Sequence, residues 1–459
     1  MAAKDLFSGT GTGVLFTDRR NFYIDPQVVK ELWTDVTPFT TVIANKETRS
    51  VPDPIFKMFE HKQPWVKQSF VCNENTTNAT ANNESADMDI DGIVGLPTPD
   101  ASWLGLEVEC WDSTETTKKG VAIVTTVVSG SGTTGNIQFT PLNNDLDVAV
   151  DDVFYVIGNA HGEGGYAPEA WADELKVVYN SCQIFKNPLE ITGTLLQASL
   201  RGESSELARL RMQKSQEHKI QKERAFLFGK RVGGTGLQES AYADGFNDTN
   251  ADETFTDGGI DGPAVGTIAT PAGSGAGKIR TTYGIVSAIE NYGESTSTHD
   301  NQNIFTASEA SYSYGAFVDD MEKVFQYVPT SGVKKAFVGA GALGYWSKMA
   351  GNSGFAGNNG WSVNLGDMKR DALGFNYRTL ETPHGMLQMI PTPALRGPYN
   401  KYMVVVDEDN LFHSQYRSPM YQTNIKTDNA YDGVKDQYMS DEGIGITNIN
   451  SHSLIKITA

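Results

Sequence analysis

The stretch that decides the fold is QIFKNPLEITGTLLQASLRGESSELARLRMQKSQEHKIQKERAFLFG, residues 183–229. Ser204 and Ser205 can each cap a helix N-terminus, and no Pro or Gly follows them until Gly229. A Gly at that place can end a helix in a left-handed conformation. The pattern therefore predicts one helix over 204–228, about 38 Å long at 1.5 Å per residue.

This predicted helix is polar around most of its circumference. Its apolar residues form only a thin stripe, made of Leu207, Leu210, Ile220 and Leu227. A long helix of this kind lies across a sheet on one narrow face or bridges to other subunits. The charged residues Arg209, Arg211 and Glu217 then become candidates for contacts between subunits. An ordinary solvated surface helix is the alternative interpretation.

The composition bounds the class of protein. A chain of 459 residues has room for two or three domains, and 39% hydrophobic content with 21 Phe and 18 Tyr is enough for real cores. The net charge of −19 argues against a protein that binds nucleic acid by neutralising phosphates. Three widely spaced cysteines favour a reducing compartment over a disulfide framework. With no signal-like or membrane-length apolar run, we expect a soluble protein made in a cytoplasm.

The segment before the centre of the chain has few signs of regular structure. A short helix is expected to begin at Asp25-Pro26, and residues 38–65 (PFTTVIANKETRSVPDPIFKMFEHKQPW) then carry four prolines. Prolines at this density exclude a long regular element, so we expect an extended arm. An arm rich in apolar groups needs a surface to pack on, either its own domain or another chain. The candidate anchors for a neighbouring subunit are Phe39, Ile55, Phe56, Phe59 and Trp65.

The remaining chain divides by its periodicity. Residues 69–95 are rich in Asn, Thr, Ala and Asp and are expected to form an exposed loop. Period-two alternation over 104–157 predicts roughly four to six short strands, in a small antiparallel barrel or sandwich. Residues 231–282 are expected to form a long loop or hairpin. Helical patterns at 283–292 and 313–327, followed by the strand KKAFVGA, predict an α/β unit, and the last ninety or so residues are dominated by strands.

The motifs that could carry chemistry are incomplete. AGSGAGKI at 272–279 resembles a phosphate-binding loop but lacks its first Gly and the Ser or Thr that would hold magnesium. Asp87, Asp89 and Asp91 match the opening of a calcium loop, but Thr98 stands where the bidentate acid is required. None of the seven scattered histidines pairs at metal spacing. We therefore expect no catalytic, cofactor or metal site and no enzyme activity, and an acidic solvated turn at Asp87.

The segment NAHGEGGYAPEA, running on into CQIFKNPLEITGTLLQA, resembles the major capsid proteins of tailed bacteriophages with the Hong Kong 97-type fold. The resemblance extends over most of the chain and includes the Pro-rich arm, the strand-rich insert, the charged helix and the hairpin TLETPHGMLQMIPTPAL. It rests on element order more than on invariant motifs.

The resemblance implies an α+β fold with an N-terminal arm, an extended loop, a peripheral domain with a long spine helix, and an axial domain. The arm would be residues 1–50, the extended loop 51–100, and an inserted antiparallel β domain 101–165. The peripheral domain would be 166–235 and the axial domain 236–395. Residues 396–459 would return as strands to the peripheral domain.

The implied function is structural. Such a protein self-assembles as pentamers and hexamers into the icosahedral head shell that encloses the double-stranded DNA of a phage. It is assembled in the host cytoplasm, with a scaffold, portal or cement protein as further partners, without specific DNA binding or membrane contact. The alternatives are a nanocompartment shell protein of the same fold and a carbohydrate-binding surface protein acting through the β insert.

Overall fold

The computed structural model describes residues 37–60, 68–74, 76–79, 86–132, 134–142, 145–164, 168–170, 176–197, 206–231, 260–261, 278–293, 295, 302–309, 311–327, 332–351, 369–370, 376–425 and 432–458. The arm before residue 37, the helix expected at Asp25-Pro26, Trp65 and most of the 272–279 motif lie outside these residues.

The helices of the described residues follow the patterns expected from the sequence, with two additions, at 38–46 and 193–197. They are α1 Pro38–Lys46, α2 Gly193–Gln197, α3 Glu206–Phe228, α4 Ile285–Tyr292, α5 Tyr314–Val324 and α6 Ala340–Gly351. The central helix α3 agrees with its predicted range to within two residues.

The strands of the described residues account for most of the regular structure. In the first half they are β1 Thr48–Ser50, β2 Ile55–Glu60, β3 Ser69–Cys72, β4 Thr76–Ala79, β5 Ala86–Val94, β6 Leu106–Trp111, β7 Lys118–Ser131, β8 Thr134–Pro141, β9 Leu146–Val148, β10 Val153–Asn159, β11 Lys176–Ser181 and β12 Gln183–Thr192. In the second half they are β13 Ile260–Asp261, β14 Lys278–Ile279, β15 Ile304–Ser308, β16 Val333–Val338, β17 Lys369–Arg370, β18 Asn376–Thr382, β19 Gly385–Pro391, β20 Tyr402–Val406, β21 Leu411–Gln422, β22 Gly433–Ile446 and β23 Ser453–Thr458.

A four-stranded sheet in the order β1-β21-β22-β12 supports the long helix α3. Residues of β12 alternate strictly between buried and exposed, as expected for a strand with one face against a helix. Strands β2 and β11 form a separate antiparallel ribbon. Apolar side chains join this ribbon to the four-stranded sheet; they are Phe56, Met58, Val178, Cys182 and Phe412.

A seven-stranded mixed sheet in the order β15-β23-β20-β16-β19-β18-β17 forms the α/β unit. Helices α5 and α6 cover one face through residues such as Phe317 and Trp346. The opposite face packs on α1, α4 and the end of α3. In β16, Phe337 points to the second face while Ala336 and Val338 point to the first, so the strand is buried on both sides.

A closed barrel in the order β10-β3-β5-β8-β7-β6 stands between the two ribbon strands β2 and β11 in the chain. The sequence predicts strands only from residue 104 onward, with 69–95 as an exposed loop. That prediction is wrong, because β3 and β5 come from this segment and close the barrel. Their buried residues Phe70 and Met88 contribute to its core, and the segment's polar composition reflects the outward-facing alternate positions and turns.

The arm expected over residues 38–46 is a helix instead. Pro38 stands at the first helical turn, where its missing N–H is not needed. Phe39, Val42 and Ile43 are buried together, and the Phe39 ring lies 5.0 Å from that of Phe337 in an edge-to-face arrangement. Spacing of three and four residues puts these side chains on one helix face. The pattern is helical once the prolines at 52, 54 and 64 are set aside.

Candidate assembly site: the helix seat and the exposed ribbon

The face that α3 turns to the sheet is polar. Leu227 is the only member of the predicted apolar stripe that is fully buried, beside Phe226. Most of the buried face is instead Gln216, His218, Lys222 and Glu223. The prediction that the apolar stripe holds the helix on the sheet is therefore wrong. Polar partners on the sheet replace it, and their contacts define what we call the helix seat.

The middle of the helix seat is a chain of hydrogen bonds through His218. Its Nδ1 lies 2.7 Å from Asn187 Oδ1 and its Nε2 lies 2.9 Å from Ser440 Oγ. The Asn187 amide nitrogen donates to Glu217 and Gln221, so its oxygen is left to accept from Nδ1–H. Burial, together with the nearby Lys222, lowers the pKa of His218 to about 4. The imidazole is therefore neutral at pH 7, and its Nε2 accepts from the Ser440 hydroxyl.

Toward its C-terminal half, α3 contacts the sheet through an ion pair. Lys222 Nζ lies 3.0 Å from Glu442 Oε2, whose side chain has no solvent exposure. His413 Nε2 lies 3.4 Å from the same oxygen. Burial acts to raise the pKa of Glu442, but His413 and Lys222 together bring it below its ordinary value. A buried charge held in this way is costly to separate from its partner.

Toward its N-terminal half, α3 is fixed by Asp436 on β22. Arg211 Nη2 donates to Asp436 Oδ2 at 2.9 Å, Tyr421 donates to the same oxygen, and the Asn424 N–H donates to Oδ1 at 2.8 Å. The Asp436 side chain is fully buried. Burial acts to raise the pKa of Asp436, but the hydroxyl of Tyr421, the Asn424 amide and Arg211 outweigh it and lower the pKa.

Glu223 of α3 caps the N-terminus of α1. Its Oε1 accepts from the Phe39 N–H at 3.0 Å, and its Oε2 accepts from the Thr40 N–H at 2.7 Å and the Thr40 hydroxyl at 2.6 Å. The N-cap residue Thr37 makes no side-chain cap of its own. A carboxylate there meets both unsatisfied N–H groups and the positive end of the helix dipole. Burial raises the pKa of Glu223, against the opposing effect of these hydrogen bonds.

Sequence reasoning missed the sheet side of the helix seat. The signal is present in β22, where Asp436, Ser440 and Glu442 are separated by even numbers of residues. Period-two alternation places these side chains on one face. Only the pairing of β22 with β12 shows that this face lies under α3 rather than in solvent.

The five predicted anchors of the arm do not form one surface. Phe39 is fully buried and Phe56 is 7% exposed, both inside their own chain. A buried side chain has no area to offer a neighbour, so these two assignments are wrong. Ile55 is half-buried at the start of β2. Trp65 lies outside the described residues. Phe59, by contrast, is 62% exposed on the ribbon.

The predicted charged contacts of α3 are engaged within the subunit. Arg211 makes the ion pair with Asp436 described above, and its side chain remains 37% exposed. Glu217 accepts from Lys214 at 2.7 Å and from Asn187 at 3.3 Å. Arg209 also interacts within the chain and is half-buried. The more exposed positions of this helix include Met212, which is 58% exposed.

A cleft of about 460 Å³ opens where the ribbon β2–β11 meets the edge strand β1. Arg49 and Phe412 both line it, and the Arg49 guanidinium lies 4.1 Å from the Phe412 ring centroid. Phe59, Lys57 and Asp409 are also among its lining residues. The cleft therefore combines a fixed cation, an exposed aromatic ring and an acid at one sheet edge.

The acidic motif of the barrel does not form a cation site. Asp87 and Asp89 lie on β5, where Gln138 Nε2 and Asn136 Nδ2 donate to them at 2.6 and 2.7 Å. Alternate residues of a strand lie roughly 7 Å apart, too far for the wrap of a calcium loop. Over the described part of the chain, no three His, Cys, Asp or Glu side chains are grouped to hold a metal ion.

The three cysteines are free thiols in buried positions. Burial raises the pKa of Cys72 to about 11 and the pKa values of Cys110 and Cys182 to about 12. Thiols with such pKa values are protonated and unreactive at neutral pH. Among the helices within the described ranges, none combines the length and apolar character needed to cross a membrane.

The titratable groups of the helix seat are thus paired with one another and hold α3, α1 and two sheets in one arrangement. The chain belongs to the SU10 major capsid protein family, whose sequence model matches residues 26–257 and 263–459. It is a structural subunit of a phage head shell, not an enzyme, and it assembles as a multimeric shell in the capsid of the virion.

Several solved capsid structures are similar to this chain. The capsid of a native GTA particle is 9% identical, with 95% of this chain and 96% of that chain covered and a TM-score of 0.39. The Microbacterium phage Oxtober96 structure is 10% identical, with 96% and 95% covered and a TM-score of 0.38. The Mycobacterium phage Patience structure is 12% identical, with 66% and 78% covered and a TM-score of 0.36. No curated protein matches the chain significantly.

Proposed function

We propose that the subunit adopts the Hong Kong 97-type arrangement and forms pentamers and hexamers of an icosahedral shell around double-stranded DNA. The helix α3 on its four-stranded sheet serves as the spine of the peripheral domain. The seven-stranded sheet with α5 and α6 serves as the axial domain. The ribbon β2–β11 serves as the extended loop, with the barrel inserted between its strands. The match to the capsid protein family over nearly the whole chain carries this proposal.

The helix seat suits a shell subunit, because such a subunit must keep its shape when the shell is under mechanical stress. Polar contacts along α3 fix one register of helix on sheet, since Arg211, His218 and Lys222 each have a specific partner. An apolar stripe would allow sliding by a turn, whereas displaced charges would lose their partners in a buried place. Helix α1 is bound to the same helix through the hydrogen bonds that Glu223 accepts.

Phe59 and the adjoining cleft are the proposed contact with a neighbouring subunit. Large exposed aromatic rings beside a cation are typical of residues that contribute most to interface energy. The ring is 62% exposed in the isolated subunit, and its ribbon is held to the rest of the subunit by Phe56 and Met58 on the opposite face. The ribbon can therefore present Phe59 without unfolding.

The test is the Phe59→Ala variant. Loss of an interface aromatic costs roughly 2 kcal/mol per contact, or about thirty-fold in affinity. We expect folded, soluble subunits that give few closed shells by negative-stain microscopy. Val128→Ala is the matched control, because Val128 is 57% exposed but lies on the barrel. Wild-type shell yield from the Phe59 variant would exclude this contact, and absence of shells from the unaltered protein produced together with its scaffold would contradict the proposed assembly.

We further propose assembly in the host cytoplasm, with a separate scaffold, a portal and in some shells a cement protein as partners. The subunit makes no specific contact with DNA or membranes. The net charge of −19 supports this, because phosphate binding requires clustered Lys and Arg. A filter-binding assay of soluble subunits with duplex DNA at physiological salt is expected to give no signal, and micromolar binding would contradict the proposal.

A further inference from the structure

The negative charge of the chain is concentrated in two segments. Residues 68–164, which contain the barrel, carry fifteen acidic side chains and two lysines, a net −13 of the total −19. Residues 232–277 carry seven acidic side chains and no basic one. All other residues together have a net charge of +1. Outside these two acidic segments, the chain is therefore nearly neutral.

The interior of the barrel is apolar, apart from the buried Asp152. Its interior is filled by its own apolar side chains, the largest being Trp103, Phe70, Phe139 and Phe154. The Phe70 and Phe154 rings stack at 5.2 Å, and Trp103 lies 5.4 Å from Phe70. Its core cluster contains only residues between Phe70 and Phe154. The barrel is therefore a self-contained module, filled rather than hollow.

The few basic groups of the barrel already have partners. Lys118 pairs with Glu109, and Lys119 pairs with the buried Asp152. Glu74, Asp151 and Glu163 are exposed on the barrel surface, and two lysines against fifteen acidic side chains leave the segment strongly negative. A surface of this kind repels phosphate groups and other copies of itself, and it is least costly where counterions are freely available.

A shell subunit offers a module three environments: the lumen with packaged DNA, the lateral contacts with neighbours, and the exterior solution. DNA presents one phosphate charge per about 1.7 Å of its length, so its repulsion disfavours an acidic barrel in the lumen. Repulsion between identical acidic barrels disfavours their placement at the lateral contacts between subunits. Resting on the shell function, we propose that the barrel lies on the outer face of the shell, away from the DNA and separated from other barrels.

The turn between β7 and β8 provides a probe of this orientation. Ser131 is exposed at that turn, whereas Cys72, Cys110 and Cys182 are buried and give little background. Intact DNA-filled particles with Ser131→Cys are treated with a maleimide carrying a polymer too large to enter the shell. We expect the same extent of labelling in intact particles as in particles disrupted first. Labelling that requires disruption would overturn the proposal.

Thr134→Cys, on the other side of the turn, serves as a second variant in case Ser131→Cys fails to assemble. Particles of the unaltered protein are the negative control, and they should remain unlabelled until they are unfolded. Absence of closed particles from the unaltered protein would contradict the shell function itself. Closed particles whose turn is protected would contradict only the orientation.

Particle electrophoresis gives an independent readout. The triple variant Glu74→Gln, Asp151→Asn and Glu163→Gln removes three exposed negative charges per subunit with little change of shape. Migration in a native agarose gel depends on the outer surface, so intact particles of the variant should move measurably more slowly toward the anode. Mobility equal to that of wild-type particles would place these charges inside the shell and overturn the proposal. Disrupted subunits, run alongside, confirm that the charges are absent.

Discussion

Removing the Glu223 carboxylate tests whether this side chain of α3 holds helix α1 in place. In Glu223→Ala, the N–H groups of Phe39 and Thr40 and the Thr40 hydroxyl lose their acceptor. Hydrogen bonds to a charged group contribute about 1.5–3 kcal/mol each, and loss of an N-cap costs about 1 kcal/mol. Relief of the buried charge offsets part of this, since burial raises the pKa of Glu223. We expect a net loss of about 3 kcal/mol.

The assay is urea unfolding of the unassembled subunit, followed by far-ultraviolet circular dichroism. Glu223→Gln keeps the shape but turns one acceptor into a donor, so we expect an intermediate loss of about 2 kcal/mol. Glu217→Ala is the control on the same helix, because its side chain is 43% exposed and its loss should cost about 0.5 kcal/mol. If Glu223→Ala were no more destabilised than the Glu217 variant, the capping role would be refuted.

Further predictions concern the rest of the helix seat and the thiols. Because the pKa of His218 is about 4 when folded and 6.5 ordinarily, the unfolded chain binds its proton first as pH falls. The contribution of neutral His218 to the free energy of unfolding is therefore complete above pH 6.5, and up to about 3 kcal/mol of it is lost toward pH 4. In His218→Gln, the free energy of unfolding should depend less steeply on pH over this range. Asp436→Ala leaves Arg211 and Tyr421 without their acceptor and should cost about 2 kcal/mol in urea unfolding, against no change for an exposed barrel acid such as Glu163→Gln. The three thiols should fail to react with a thiol reagent at neutral pH until urea is added, and rapid reaction of the folded subunit would contradict their burial.

The sequence predicts the elements well where one local signal dominates. The absence of Pro and Gly, together with Gly229 at the end, gives α3 to within two residues. Hydrophobic spacing gives α4, α5 and the strand β16. It fails at residues 69–94, because short strands with small polar residues outside look like loops until their partners are known. It also fails at α1, whose prolines suggest an arm although Pro38 begins a helix.

The aromatic residues predicted to contact a neighbouring subunit show even more clearly what the sequence leaves undecided. Phe39, Phe56 and Phe59 are equally apolar in sequence, yet two are buried in their own chain and one is exposed. For Phe56 and Phe59 the difference follows from strand alternation, since the β2 face that packs on the four-stranded sheet takes Phe56 and leaves Phe59 outside. Which residue of the alternation faces inward depends on the pairing with β11, a contact more than a hundred residues away in the chain.

By itself, then, the sequence determined that the protein is an acidic α+β chain with one long charged helix and no assembled catalytic motif. It also carried the resemblance to phage capsid proteins, which the family match confirms. The tertiary structure decided how the helix is held. Its charged residues read as a solvated surface, but Asp436, Ser440 and Glu442 approach them from a strand more than two hundred residues later. Buried polar groups are stable only with partners, and those partners become visible only when distant segments are brought together.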